Sequence, residues 1–79
     1  MKTADIQYGK YQHYKNQKFY ELIGIVRHSE TCEEMIIYKA LFQCDKFGDN
    51  QVWVRTKEMF FEDIFHNENV VPRFKYISE

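Results

Sequence analysis

Phe19-Tyr20-Glu21-Leu22-Ile23-Gly24-Ile25-Val26-Arg27-His28-Ser29-Glu30-Thr31-Cys32-Glu33-Glu34-Met35-Ile36-Ile37-Tyr38-Lys39-Ala40-Leu41-Phe42 is the stretch whose reading decides the fold. Its two apolar runs, Phe19–Val26 and Met35–Phe42, are rich in β-branched and aromatic residues, which favour a pleated, half-buried surface. The segment between them, residues 27–34, is polar throughout. Two strand-like runs about a polar loop read as a β-hairpin. In the first run Tyr20, Leu22, Gly24 and Val26 share one face, and Phe19, Glu21, Ile23 and Ile25 the other, by the two-residue period of a strand. Both faces are largely apolar, so this strand is expected at the centre of its sheet. Gly24 interrupts it, and a glycine inside a strand marks a bulge or a sharp bend. The second run carries a competing signal. Thr31-Cys32-Glu33-Glu34 matches a helical capping box, which would put Met35, Tyr38 and Phe42 on one helix face. The β-branched and aromatic content of Ile36, Ile37, Tyr38 and Phe42 favours the strand.

Working outward, residues 1–7 read as a loose lead-in and Gly9–Tyr14 as a short first strand. Lys15–Lys18 reads as a turn. After the central hairpin, Gln43–Asn50 is a loop with turn chemistry at Gly48-Asp49-Asn50. Gln51–Arg55 alternates, with Val52 and Val54 expected inside and Trp53 and Arg55 on the opposite, more accessible face. Thr56–Phe60 suits one helical turn capped by Thr56. Glu62–Phe65 is a short strand and His66–Asn69 a turn. Val70–Ile77 is a closing strand, with Pro72 assigning it to an edge or a strand start. No repeat or linker divides the chain, and 79 residues make one domain.

A core this small is marginal, because much of the surface stays wet after folding. Rings compensate: 18% of the residues are aromatic, with seven Phe, six Tyr and one Trp. The net charge of −1, from 11 basic and 12 acidic side chains, argues against an extended nucleic-acid surface, which needs a basic excess. Lys10, His13, Lys15 and Lys18 form a local basic cluster, best read as a solvated hairpin tip. No apolar stretch is long enough for a membrane span, and the first six residues lack the apolar core of a signal peptide. The expected location is the cytoplasm. Cys32 and Cys44 flank the run Met35–Phe42, which as one strand separates them by more than roughly 20 Å. Disulfides need Cα atoms within about 7 Å, so two free thiols are expected.

Several of these residues form a specific pattern. Gly9-Lys10-Tyr11, His13-Tyr14-Lys15, Tyr20-Glu21, Gly24, Arg27-His28-Ser29-Glu30-Thr31, Tyr38, Ala40-Leu41-Phe42, Trp53-Val54-Arg55, Met59-Phe60 and Val71-Pro72-Arg73-Phe74 resemble the bacterial family of small proteins catalogued as domain of unknown function 1653 (DUF1653). The resemblance runs from Tyr8 to Ile77. It implies a small SH3-like β-barrel, and so a strand at Met35–Phe42, and it implies no activity. The chain departs from the pattern in a longer loop at Gln43–Asn50 and in Thr56, where proline commonly follows the arginine.

The fold class expected is therefore all-β: a small SH3-like barrel of about five strands with one short helical turn. Its leading function is a non-enzymatic binding module. Arg27, His28, Ser29, Glu30 and Thr31 place a planar donor fork, an imidazole, two hydroxyls and a carboxylate in one loop. Trp53 and Arg55 share a strand face and add a ring and a cation able to stack on one ligand; Tyr38 is a further candidate ligand-binding residue. The structural alternative for the loop is a turn in which Ser29 and Thr31 satisfy backbone N–H groups and Arg27 pairs with Glu30 or Glu58. Plain packing is the alternative for the wider aromatic set, Tyr11, Tyr14, Tyr38, Trp53, Phe60, Phe74 and Tyr76. Arg55, Glu58 and Arg73 are further expected to form an ion-pair network. A peptide or protein partner ranks first. A nucleotide or nucleic acid on the same surface is the alternative, disfavoured by charge. A hydrolase or thiol enzyme using His28 with Ser29 or Cys32 ranks third, because adjacent residues of an extended segment point apart. The histidines and cysteines lack zinc-site spacing, so no metal and no cofactor are expected. Homodimerisation through an edge at Val70–Ile77 stays open.

Overall fold

The computed structural model describes residues 6–79. Among the described residues, nine strands and one helical turn follow one another. They are β1 (Gly9–His13), β2 (Phe19–Arg27), β3 (Glu34–Ala40), β4 (Gln43–Cys44), β5 (Gly48–Asp49), β6 (Val52–Thr56), α1 (Lys57–Phe60), β7 (Asp63–His66), β8 (Asn69–Pro72) and β9 (Phe74–Ser78). The all-β expectation holds, and Met35–Ala40 is strand rather than helix. Five strands form one antiparallel sheet in the order β6-β3-β2-β1-β9, with β4–β5 and β7–β8 as separate two-stranded hairpins. The sheet is open: β6 and β9 are its two edges and do not pair with each other. The expected barrel closure is thus not made by strand pairing among the described residues.

β2 lies at the centre, as its two apolar faces suggest. Its register against β3 shifts between Leu22 and Gly24, so Ile23 is the extra residue of a bulge. The bulge falls beside Gly24, as a glycine within a strand implies, and it changes which residues face inward. Beyond it the inward positions change phase. Leu22 pairs with Tyr38 and Ile25 with Ile36, while Gly24 and Val26 pair with the outward Ile37 and Met35. Ile25 therefore packs against the core, and Ile23 and Val26 are exposed.

The core is one cluster of Ile6, Tyr11, Leu22, Ile36, Tyr38, Phe60 and Phe74. Ile6 falls within the stretch expected to be a loose lead-in, yet it is buried; the rest of that expectation, residues 1–5, lies outside the described residues. What closes the core over the open sheet is α1. Thr56 caps it, its side-chain oxygen accepting the Met59 N–H at 3.1 Å. This cap satisfies a donor that the short helix would otherwise leave unpaired. The turn drives Phe60, fully buried, onto the inner face of the sheet. Its ring stacks on Phe74 with centroids 4.2 Å apart and meets Tyr11 and Tyr38 edge-on, each at 5.3 Å.

The closing segment differs from its expected form. Val70–Ile77 is two strands, not one, because Pro72 has no N–H to continue a ladder and Arg73 changes partners. The Arg73 N–H donates to the Glu62 carbonyl at 2.9 Å, and its own carbonyl accepts from the Tyr14 N–H at 3.0 Å. β8 therefore pairs with β7, and β9 with β1. Phe65 and Val70 face each other on the β7–β8 hairpin, and both are exposed. The loop 43–50 also contains structure, the short β4–β5 pair.

Candidate functional site

Cross-strand partners share a sheet face. Register therefore decides where the candidate side chains go. Trp53 pairs with Tyr38 and Arg55 with Ile36, both core-facing residues of β3. Val52 and Val54 pair with Lys39 and Ile37 on the outer face and are more than half exposed, at 56% and 54%. The expected assignment of faces on β6 is thus inverted: the valines are outside, and Trp53 and Arg55 lie over the rim of the core. Hydrophobicity alone favoured valine inside, but the inner rim at this edge is polar and ring-lined.

Trp53 and Arg55 line a groove of about 320 Å³ with His13, Asn16, Tyr20, Tyr38 and Phe74. All five strands of the sheet and the β1–β2 turn contribute, so the groove is a product of the sheet rather than of one loop. Its floor is aromatic: Tyr38 meets Tyr20 at 5.6 Å and Phe74 at 5.3 Å, both edge-on. The Arg55 Nε donates to the Tyr38 hydroxyl at 2.9 Å, and its guanidinium lies 5.7 Å from the centre of the Phe74 ring. Burial pushes the Tyr38 hydroxyl above its ordinary pKa despite the opposing Arg55 charge. His13 sits half-buried, stacked on Tyr14 at 5.0 Å and edge-on to Phe74 at 4.9 Å. Its Nδ1 accepts the Lys15 N–H at 3.1 Å. Burial, and then the charges of Arg55, Arg73 and Lys15, lower its pKa below the ordinary value, so the ring is neutral at pH 7. Outside the groove, Phe47 of the 43–50 loop touches the Trp53 ring edge-on at 5.6 Å.

The ion pairs among the described residues are Lys39–Glu21, Lys57–Glu34 and Arg73–Glu62. Arg55 is in none of them. The expected Arg55–Glu58–Arg73 network is not formed. Arg73 instead bonds Glu62 at 2.6 Å and the Met59 carbonyl at 2.9 Å, which ties the β8–β9 junction to α1 and the turn after it.

The Arg27–Thr31 loop is the β2–β3 hairpin tip, and it does not line the Trp53–Arg55 groove. The side chains of Arg27, His28 and Thr31 bond within its own turn, whereas the expected Ser29 contact to a backbone N–H is not among the hydrogen bonds of the described residues. Arg27 Nη1 donates to the Cys32 carbonyl at 2.7 Å rather than pairing with Glu30 or Glu58. His28 Nδ1 accepts the N–H groups of Glu30 and Thr31 at 3.1 and 3.3 Å. The Thr31 hydroxyl accepts the Glu33 N–H at 3.2 Å. Cys32 adopts a left-handed backbone, φ 65°, to close the turn. Ser29 and Glu30 are exposed on it. Arg27 also borders a separate shallow cleft of about 360 Å³ with Tyr8, Ile25, Val26 and Glu34. Cys32 and Cys44 are both free thiols. Among the described residues, no set of three or more His, Cys, Asp or Glu side chains is arranged to hold a metal ion. No helix there is long and apolar enough to cross a membrane.

Of the candidate ligand-binding residues, then, Tyr38, Trp53 and Arg55 come together, and Arg27, His28, Ser29, Glu30 and Thr31 form a second, self-bonded feature. Phe74, in the aromatic set expected to pack in the core, also lines the groove, and His13, Asn16 and Tyr20 join it without any sequence signal linking them to Trp53. Register brings them together, and four separate strand pairings set it.

Fold and groove define a class: an all-β chain with one open five-stranded sheet, a ring-packed core and a cationic aromatic groove beside an edge strand. Residues 9–76 match the family described as protein of unknown function (DUF1653). The chain belongs to the DUF1653 family. A similar solved structure is the crystal structure of a DUF1653 protein from Bordetella bronchiseptica, 26% identical, with a TM-score of 0.83 over 96% of this chain and 92% of that one. No curated protein matches the chain.

Proposed function

We propose that the protein is a non-enzymatic binding module that takes an extended peptide segment of a partner protein along edge β6, with one peptide side chain or terminus entering the Trp53–Arg55 groove. The observation that carries this is Arg55: a half-buried guanidinium with no carboxylate partner and no acceptor for its terminal nitrogens among the described residues. A charge so placed is costly unless something pairs with it.

The strand itself adds support. The Ala40 N–H donates to the Gln51 carbonyl at 2.8 Å, so that pair is hydrogen-bonded. Alternation along an antiparallel ladder then turns the N–H and C=O groups of Val52 and Val54 to the open edge. An added peptide strand would use these groups for affinity and alternate side chains for specificity. Trp53, 41% exposed, stands beside that edge. The balanced charge weighs against a nucleic-acid ligand.

The test is selection of binders from a displayed peptide library on the intact protein, followed by affinity measurement with Trp53→Ala, Arg55→Gln and Arg27→Gln. The first two are expected to weaken binding on the order of tenfold or more, with Arg27→Gln within about twofold of the parent. Selected peptides that bind all three variants equally would overturn the proposal.

A further inference from the structure

We propose that the group recognised by the Trp53–Arg55 groove is a carboxylate, carried by the peptide as its C-terminus or as an acidic side chain. This rests on the peptide-binding reading and specifies its chemistry.

The argument is an inventory of hydrogen-bonding capacity. Arg55 uses Nε on Tyr38, which leaves the paired terminal nitrogens of the fork as donors. The Tyr38 oxygen accepts that bond, so its own O–H remains to donate. The Tyr20 oxygen likewise accepts from Asn16 Nδ2 at 3.2 Å and keeps its O–H. The Asn16 Oδ1 is already taken by the Lys18 N–H at 2.8 Å. His13 accepts at Nδ1, so in the neutral ring Nε2 carries the proton and is a donor. The Trp53 indole N–H is a donor only. No Asp or Glu lines the groove. The charged groups acting on His13 are Arg55, Arg73 and Lys15, all cationic. The surroundings are therefore rich in donors, poor in free acceptors and positive.

Such a lining suits an acceptor-only anion. One uncommitted guanidinium matches one negative charge, and a planar fork matches the two oxygens of a carboxylate. A phosphate dianion would need a second cation on the lining, but Arg55 is the one Lys or Arg among the described residues that line the groove; Lys15 lies outside it, and Arg73 is committed to Glu62 and the Met59 carbonyl. The aromatic floor shields one side of the pair from water, and a charge-assisted bond counts for more there than in bulk water.

The experiment uses the full chain and four probes: N-acetyl-L-phenylalanine, its amide, N-acetyl-L-glutamic acid α-amide, and inorganic phosphate. Proton–nitrogen NMR spectra report the Trp53 indole and the Arg55 Nε signals. The proposal expects at least one of the two carboxylate probes to shift both signals, with N-acetylphenylalanine amide weaker by on the order of tenfold or more. Which carboxylate binds more tightly assigns the source, terminal or side-chain. Arg55→Gln is expected to erase the preference for acid over amide, and Arg55→Lys to restore part of it. Acid and amide shifting the groove equally would overturn carboxylate recognition while leaving peptide binding standing. Phosphate competing as well as the carboxylates would overturn it too. Absence of any shift at high millimolar probe concentration would sink the proposal. Failure of the library-selected peptides to shift the same two signals would then remove the underlying reading as well.

Discussion

Replacing Phe60 is the sharpest test of how this chain holds its open sheet together. Phe60 is fully buried on a helix of four residues and touches four rings: Phe74 stacked at 4.2 Å, Phe61 at 4.9 Å, and Tyr11 and Tyr38 at 5.3 Å. Truncation of a buried Phe to Ala costs about 3–5 kcal/mol through lost transfer energy and the cavity left behind. Each well-placed aromatic pair adds roughly 0.5–1.5 kcal/mol beyond area burial, so Phe60→Ala belongs at the upper end, about 4–5 kcal/mol. A 79-residue domain has a net stability of about 4–12 kcal/mol at typical per-residue values. The variant therefore loses between about a third of its stability, at the upper end of that range, and all of it, at the lower end. Phe60→Leu keeps most of the apolar volume and loses ring geometry, for about 1–2 kcal/mol. Phe65 is the control, with the same chemistry at 75% exposure; Phe65→Ala stays within about 0.5 kcal/mol. Equilibrium urea unfolding, followed by far-ultraviolet circular dichroism and by the fluorescence of the single tryptophan, measures all three. A Phe60→Ala loss below about 1 kcal/mol would refute the reasoning, because the helical turn would then not close the core.

Three further outcomes follow from particular contacts. Gly9→Ala destabilises: Gly9 has φ +134°, and a Cβ built there collides with the Ser78 carbonyl oxygen and lies 2.8 Å from the Glu79 Cα. The β1–β9 pairing must shift, and hydrogen exchange in β9 reports it as lost protection. Thr56→Ala removes the acceptor of the Met59 N–H and costs about 1 kcal/mol in thermal or urea unfolding, while Thr56→Ser recovers most of it. His13 makes stability depend on pH. Its folded pKa lies below the ordinary 6.5, so the unfolded chain takes up its proton first as pH falls. Its contribution is complete above 6.5 and is lost as pH drops from there through the lowered folded value. Urea midpoints measured across this window should fall more steeply toward acid for the parent than for His13→Gln, and equal slopes would contradict the assignment.

The strands were legible where local chemistry and tertiary need agreed. β2 was readable to its ends because nine consecutive residues, Phe19–Arg27, suit a strand and a polar turn follows them. The Thr56-capped turn was readable from one residue type at one position. The faces of β6 were not, because alternation gives two faces without saying which one looks inward. That choice is made by pairing with β3, whose inward residues Ile36 and Tyr38 bring Arg55 and Trp53 with them. The bulge at Ile23 shows the same limit: Gly24 signals a defect, but only the register tells which residues change sides. Strand closure failed as an expectation for a related reason. Pro72 is visible in sequence, but the switch of partners at Arg73 depends on Glu62 and Tyr14, which lie far away along the chain.

The candidate site was half legible. A tryptophan and an arginine two residues apart on a strand are a visible signal, and they do share a groove with Tyr38. The density of polar residues from Arg27 to Thr31 was equally visible, but Arg27, His28 and Thr31 are taken up in closing the hairpin. Polar composition does not distinguish donors that are free from donors that hold a turn. His13 and Phe74 reach the groove because they are paired across β1 and β9.

The central claim is that ligand enters over Tyr38, between Trp53 and Arg55. Its most direct test is amide and side-chain NMR shift mapping of the full chain with a library-selected peptide. The account predicts the largest shifts at His13, Tyr20, Trp53, Arg55 and the Val52 and Val54 amides of the open edge. Shifts centred on Arg27 to Thr31, with the Trp53 indole unmoved, would contradict it.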